Sequence, residues 1–265
     1  MIPEIHQIGV VRSSIHEPGD IPRGGTDAVI EVDPAYADAL LRIEEHSHLW
    51  LLMWFHQASR DVLRVTPVKI NPDLPEYGVF GARAFKRPNP IALTRVRLEK
   101  VEGARLHVSG CDAIDGTPVL DIKAYHEGDC VFSPRAPYFR PASPEGRWSL
   151  IYRRALGHHQ EPCEDVMRAT RMAFIAEETF GSLTVPELTV RVEGSLCLVD
   201  AIQGITRARF ANPRRLFFTE RSGPPATIWE TPAMRVAITD RGTAPSYGLD
   251  VAAEDLFEVK LEPLG

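Results

Sequence analysis

The segment 78–93 constrains the fold of this chain most, because two prolines lie between two apolar stretches. A short strand is predicted to lead into a loop that carries three cations. Pro88-Asn89-Pro90 then fixes the backbone, since proline restricts its own φ and disfavours a helical residue before it. A loop of fixed shape with cations and an amide indicates a binding site, with Lys86, Arg87 and Asn89 as candidate substrate-binding residues. A solvated turn is the alternative interpretation.

Strands predominate in the first 125 residues. Residues 91–101 alternate apolar and charged side chains, and a Glu102-Gly103 turn leads into a second strand, which is a hairpin signal. Asp33-Pro34 begins one helix over 34–45. Neither strand–helix alternation nor a glycine-rich strand-to-helix turn is present, which argues against a doubly wound sheet, a dinucleotide site and a P-loop. We predict a mainly β, closed or partly closed barrel with one or two helices. Its strands are expected at 5–12, 29–32, 49–55, 91–101, 106–108 and 119–122.

A proline-rich segment at 132–146 is predicted to be a linker. After it, an apolar helical pattern begins at Glu161-Pro162 and ends at Gly181 as C-terminal cap. The first domain is therefore expected to cover 1–140 and an α+β domain 147–265. Strands of the second domain are expected at 188–192, 216–219, 226–229 and 234–238.

The net charge of −6 argues against nucleic-acid binding through global basicity, but a local basic patch remains open. Most of the positive charge is arginine, which suits planar contacts with phosphate or carboxylate, although arginine-biased codon usage would give the same count. No apolar run reaches about 18 residues, so no membrane span is expected. The four cysteines are widely spaced and no secretory leader is evident, so we expect a cytoplasmic protein.

Three further segments combine polar groups with turn residues. Residues 21–25 form a loop whose glycines would let the backbone approach a ligand. His46 and His48 have strand spacing that suits a metal, but a third ligand is missing nearby. Residues 112–123 hold three aspartates around an Asp115-Gly116 turn. Each segment also has an ordinary structural interpretation as a turn or a core histidine.

Together with the loop at 78–93, these segments resemble the TrmO-like methyltransferases, which are S-adenosylmethionine-dependent β-barrel enzymes that methylate tRNA N6-threonylcarbamoyladenosine. The matching segments are 8–13, 21–23, 45–50, 55–57, 78–93 and 112–125. The resemblance implies a homodimer with the cofactor near the subunit interface. Ala84 and Ala124 depart from the usual serine and proline of that family. The cofactor-binding residues implied by the motif match are Pro22, Arg23, His56, Gln57, Arg83, Asp115 and Gly116.

Methyl transfer from a sulfonium chiefly requires alignment of nucleophile and methyl group and exclusion of water, so no metal is needed. An arginine is expected to pair with the amino-acid carboxylate of the cofactor, and Asp115 to accept from its ribose hydroxyl or amine. A nitrogen nucleophile must lose a proton, for which His56 and Asp121 are the candidate catalytic residues.

The second half resembles the FmdE-like domain, the E subunit associated with formylmethanofuran dehydrogenase. His159 and Cys163 match its first string, where Glu161 replaces a second histidine, and Cys197 and Asp200 match a later string. These four residues, with Glu161 as an alternative to Asp200, are candidate ligands of zinc or another divalent metal. Buried thiols and a helix cap are the alternative.

Three functions are consistent with these resemblances. The first is methylation of the modified adenosine at tRNA position 37. The second is methyl transfer to a small molecule or a metal-linked thiol presented by the second domain. The third is a non-catalytic S-adenosylmethionine-binding or metal-binding protein.

Overall fold

The computed structural model describes residues 4–130, 138–242 and 246–264. The chain divides into two compact units, one of Met1–Pro67 with Pro75–Val131 and one of Val68–Leu74 with Phe132–Gly265. Within the described residues, no helix combines the length and apolarity that a membrane crossing needs.

The first unit is a closed antiparallel barrel of six strands in the order β1-β2-β7-β6-β3-β8. Side chains along each strand point alternately into and out of this barrel. In β6, Ala92, Thr94 and Val96 are buried while their neighbours are exposed, and in β3 the alternate residues Leu49 and Leu51 are buried. The predicted barrel is confirmed. The strands are β1 (Gly9–Arg12), β2 (Thr26–Val32), β3 (His48–Trp54), β4 (Arg64–Val65), β5 (Tyr77–Gly78), β6 (Ile91–Glu102), β7 (Arg105–Cys111) and β8 (Pro118–Ala124), of which β4 and β5 form a separate hairpin.

The predicted helix over 34–45 is wrong in type. Asp33 does cap a helix start, accepting from the Ala35 amide at 2.8 Å, but two 3-10 helices follow, Pro34–Leu40 and Ile43–Glu45. Arg42 separates them with a φ of 66°. Neither piece buries a residue, so tertiary packing does not favour a continuous α-helix here.

The loop at 21–25 owes its glycines to packing within the barrel. Gly25 has a φ of 79°, and a Cβ there would lie 2.4 Å from the Gly110 carbonyl carbon. The close approach predicted for these glycines therefore involves, at Gly25, the backbone of β7.

The second unit is a five-stranded sheet in the order β10-β9-β11-β12-β13, with helices packed on one face. Val190, Trp229 and Ile238 point into the shared core with the helices, which confirms the predicted α+β class. The elements are α1 (Pro144–His159), α2 (Glu164–Phe180), β9 (Thr189–Gly194), α3 (Leu196–Thr206), β10 (Leu216–Glu220), β11 (Ala226–Glu230), β12 (Met234–Asp240), α4 (Ala253–Leu256) and β13 (Phe257–Pro263).

Four elements of this unit were not predicted, namely α1, α3, α4 and β13. The predicted linker at 132–146 overlaps α1: residues 132–137 lie outside the described part of the chain, but Pro144 already stands in the first turn of the helix. Ser143 caps that helix by accepting from the Gly146 amide at 3.0 Å. The predicted cap at Gly181 is confirmed, with its amide donating to the Glu177 carbonyl at 2.8 Å.

Candidate functional site

The barrel unit has a cavity of about 780 Å³ beside β3, β6 and the loop between β5 and β6. Its polar lining includes Arg83, Arg95 and Asp112, and its apolar lining includes Trp50 and Phe85. Basic, acidic and aromatic groups that converge on one concavity are typical of a small-molecule site. Of the predicted residues, Arg83 and Arg87 line it.

Arg83 is held in place by the backbone. Its φ of 50° is left-handed, a conformation that costs a non-glycine residue about 1–2 kcal/mol. Its guanidinium Nη2 donates to the Leu93 carbonyl of β6 at 2.9 Å. A charged group held by a strained backbone conformation fits a binding role.

Arg87 holds the loop together. Its guanidinium donates to the carbonyls of Ala84 at 2.7 Å and Val79 at 2.5 Å. Arg60 donates to the Pro88 carbonyl at 2.9 Å. The loop therefore has the fixed shape that its prolines predicted, and part of its positive charge maintains that shape. Lys86 and Asn89 are exposed on it.

Asp115 lines a different cavity of the barrel, of about 620 Å³, together with Arg12 and Ser13. Its Oδ1 accepts from the Ser13 amide at 3.1 Å, and the Gly116 amide donates to the Val11 carbonyl at 2.9 Å with a φ of 74° at the glycine. The Asp-Gly turn is thus tied to the end of β1. Within one chain, Arg83 and Asp115 therefore line different cavities.

Neither candidate proton acceptor is among the residues that line the cavity of Arg83. Asp121 lines a third cavity, of about 210 Å³, and its Oδ2 lies 2.7 Å from Lys123 Nζ. His56 is exposed in the turn after β3, next to Gln57, and Pro22 and Arg23 are exposed in the loop before β2.

Sequence reasoning did not select Asp112 as a site residue. Asp112 follows the last residue of β7 and accepts from the Thr94 hydroxyl of β6. Thr94 is only 8% exposed in an otherwise apolar barrel interior. A buried hydroxyl at an inward position of the alternating strand was the available signal.

Among the residues that the structure describes, His46 and His48 belong to no group of three potential metal ligands. His46 packs edge-to-face on His126 with ring centroids 6.4 Å apart, and His48 lies 3.0 Å from the Ser47 hydroxyl. Desolvation, followed by the charge of Arg95, lowers the pKa of His48. The described residues contain one group of three potential metal ligands, and it lies in the second unit.

That group consists of His159, Cys163 and Cys197, whose ligand atoms all lie within 4.8 Å of one another. His159 ends α1, Cys163 is the N-terminal flanking residue of α2, and Cys197 stands in the first turn of α3. A left-handed residue, Gln160 with φ of 64°, turns the chain between the first two. Three helix ends therefore converge on one point.

Asp200 is placed behind His159. Its Oδ2 lies 2.7 Å from His159 Nδ1, and His159 Nε2 lies 3.5 Å from the Cys163 sulfur. The aspartate thereby orients the ring and leaves Nε2 facing the thiols. Desolvation, followed by the neighbouring Cys163, raises the pKa of the Cys197 thiol.

The fold and these sites define a class: a small antiparallel barrel with an arginine-containing cavity, joined in one chain to an α+β unit with a cysteine–histidine cluster. Comparison with known proteins gives the family. The family model described as the tRNA-methyltransferase O N-terminal domain matches residues 10–130. An S-adenosyl-L-methionine-binding protein of Archaeoglobus fulgidus is 47% identical over 129 residues, which cover 47% of this chain and 91% of that protein. The chain belongs to this family, as the barrel motifs predicted.

Two further relatives differ in how much of the chain they match. A probable S-adenosyl-L-methionine-binding protein of Archaeoglobus fulgidus is 34% identical over 223 residues, 80% of this chain, and the match spans 60% of that longer protein. A tRNA (adenine(37)-N6)-methyltransferase of Mus musculus is 47% identical over 89 residues, 33% of this chain and 20% of that protein. The family model ends at residue 130, before the cysteine–histidine cluster.

Proposed function

We propose that this protein is an S-adenosylmethionine-dependent methyltransferase whose acceptor is the N6 position of adenosine 37 in tRNA, in its threonylcarbamoyl-modified form. The observation that carries the proposal is the family match over the whole barrel, residues 10–130. The names of the relatives agree with it: two are S-adenosyl-L-methionine-binding proteins, and the mouse relative is a tRNA adenine N6-methyltransferase.

The cavity beside Arg83 suits the cofactor in size and chemistry. Its volume of about 780 Å³ is within the range of roughly 300–1,000 Å³ for ligand sites. Arg83 would pair with the amino-acid carboxylate, and Trp50 and Phe85 would contact the adenine. A cavity beside a loop of fixed shape supplies what methyl transfer needs, which is alignment of the reacting groups.

The separation of Arg83 and Asp115 supports a homodimer with a shared site. The other cofactor residues implied by the resemblance also lie in different loops of one chain. They are Pro22, Arg23, His56, Gln57 and Gly116. A second copy would bring Asp115 of one protomer to Arg83 of the other. In that arrangement Lys86, Arg87 and Asn89 would lie at the edge of the shared site and face the RNA.

Proton removal from the N6 nitrogen would fall to a carboxylate or imidazole. His56 and Asp121 are the candidates that the sequence indicates for this proton acceptor. Asp112 is a third candidate, because its carboxylate lines the same cavity as Arg83.

The test is transfer of labelled methyl from S-adenosylmethionine to tRNA with and without the threonylcarbamoyl group. Methylation of the modified tRNA alone is the expected result. Arg83→Ala should weaken cofactor binding, while Arg105→Ala, whose exposed side chain pairs with Glu31 at 2.9 Å on another part of the barrel, should not. Methylation of a small thiol instead of tRNA would favour the second function. Tight cofactor binding without any turnover would favour the third.

The cysteine–histidine cluster supports a second role for this chain, a divalent metal site in an FmdE-like unit. In a tetrahedral zinc site, ordinary bond lengths separate a histidine nitrogen from a thiolate sulfur by about 3.6 Å. The observed 3.5 Å between His159 Nε2 and Cys163 Sγ fits this value. His159, Cys163 and Cys197 would hold the ion, and Asp200 would orient His159. A bound zinc would supply Lewis acidity at its open fourth position, and metal content of the purified protein tests the site.

A further inference from the structure

The second unit carries a strongly basic segment in an acidic chain. Residues 206–221 contain five arginines and one glutamate, whereas the whole chain has a net charge of −6. The segment runs from the end of α3 to the end of β10. We call residues 207–215 the arginine loop.

The arginine loop has a defined shape. The amides of Arg215 and Leu216 both donate to the Arg209 carbonyl, at 2.8 and 2.9 Å. The Arg215 guanidinium donates to the carbonyls of Val185 at 3.0 Å and Arg207 at 3.1 Å. Arg215 therefore stabilises the loop through hydrogen bonds to backbone carbonyls, while residues 209–214 are exposed.

Two arginines converge on one aromatic ring beside this loop. The guanidinium carbons of Arg191 and Arg214 lie 4.4 and 4.3 Å from the centroid of Phe217. Arg191 and Phe217 are paired on the parallel strands β9 and β10, on the face opposite the buried Val190 and Leu216. The ring attracts both cations and holds them beside Phe217 on the exposed sheet face.

These two cations are not neutralised by carboxylates. Among the described residues, neither Arg191 nor Arg214 forms an ion pair, while Arg221 at the end of the same sheet pairs with Glu193 at 2.7 Å. A phosphate accepts the bidentate hydrogen bonds that guanidinium planes provide.

We propose that Arg191, Arg214 and Arg209 bind the phosphate backbone of RNA, with Phe210 stacking on a base. Phe210 is 46% exposed on the same loop, and aromatic side chains beside arginines are the usual means of holding unpaired bases. This inference rests on the proposed function, since it assigns the surface of this chain that holds the acceptor tRNA. Charge complementarity favours RNA, because its phosphates are anionic and its unpaired bases offer flat faces to the exposed ring of Phe210.

The experiment measures binding of unfractionated tRNA to the full chain over a series of salt concentrations. The double variant Arg191→Gln, Arg214→Gln should bind about tenfold more weakly. Its log–log salt slope should fall by roughly 1.4–1.8, since each phosphate contact contributes about 0.7–0.9. Phe210→Ala should weaken binding with an unchanged slope. Arg221→Gln, which removes the same charge from an ion-paired arginine, is the matched control.

Each outcome decides between the proposals. Equal affinity and slope in parent and double variant overturn the RNA surface, even if the parent methylates tRNA. A weakened double variant whose parent binds tRNA but transfers no methyl supports the surface and contradicts the proposed function. A parent that does not bind tRNA contradicts both. Competition by polyglutamate as strong as by RNA would reassign the surface to an acidic protein. An unchanged circular dichroism spectrum and melting temperature in every variant confirm that the fold is intact.

Discussion

Replacement of Asp200 by asparagine tests whether the cysteine–histidine cluster is built for a metal. The carboxylate lies 2.7 Å from His159 Nδ1, which directs Nε2 towards Cys163 at 3.5 Å. An asparagine keeps the size of the side chain, but its neutral amide binds the ring less strongly and no longer enforces one orientation. Loss of such a supporting group typically costs 10–100-fold in metal affinity, or about 1.4–2.8 kcal/mol. Cys163→Ser removes a ligand outright and should cost more.

Competition with a chromophoric zinc chelator at fixed pH measures these affinities, and elemental analysis gives the stoichiometry. We expect one zinc per chain in the parent, a 10–100-fold weaker site in Asp200→Asn, and loss of stoichiometric zinc in Cys163→Ser. Asp255→Asn and Cys130→Ser, which alter exposed residues outside the cluster, are the matched controls. An affinity in Asp200→Asn within twofold of the parent would refute the positioning role. Parent-like zinc in Cys163→Ser would refute the site.

Three further predictions concern cofactor binding and stability. Arg83→Ala should weaken S-adenosylmethionine binding by about tenfold or more in calorimetry without lowering the melting temperature, and unchanged affinity would remove Arg83 from the site. Glu177→Gln should lower the free energy of unfolding, measured in urea, by about 2–3 kcal/mol, because the 1% exposed carboxylate accepts from Arg140 at 2.7 Å and lies 3.2 Å from Arg147. Glu178→Gln, at the exposed neighbouring residue, is the control. Equal losses in the two variants would contradict this reasoning. Burial raises the pKa of the Cys111 thiol to about 11, so its neutral form stabilises the fold below pH 9. Up to about 3 kcal/mol of that stability is lost as pH rises from 9 to 11. Cys111→Ala should abolish this part of the pH dependence, and a difference in unfolding free energy between the two proteins that stays constant over this pH range would argue against it.

Much of the fold could be predicted because its signals are local. The two-residue period of 91–101 fixes which side chains of β6 enter the barrel, and one strand suffices to show it. α1 was missed because Pro144 stands among other prolines and only Ile151 and Ala155 of the helix are buried, which leaves a weak apolar pattern. The capping serine at 143 was the available signal.

The candidate sites also combine residues that are close in sequence with residues that only packing brings together. His159 and Cys163 are close in sequence, so a short turn can bring them together, and the motif indicated both. Cys197 reaches them only because α3 packs against α1 and α2. The stack of Arg191 and Arg214 on Phe217 depends on the register of two parallel strands that are distant in sequence.

By itself, the sequence determined the six barrel strands, the rigid proline loop, the family and the chemical identity of the groups, because periodicity, caps and motifs are properties of neighbouring residues. Only the tertiary structure decided that Arg83 and Asp115 line different cavities, that Asp200 contacts His159 Nδ1, and that Arg191 and Arg214 share one ring. Barrel closure and helix packing set those positions, and both depend on contacts between residues far apart in the chain.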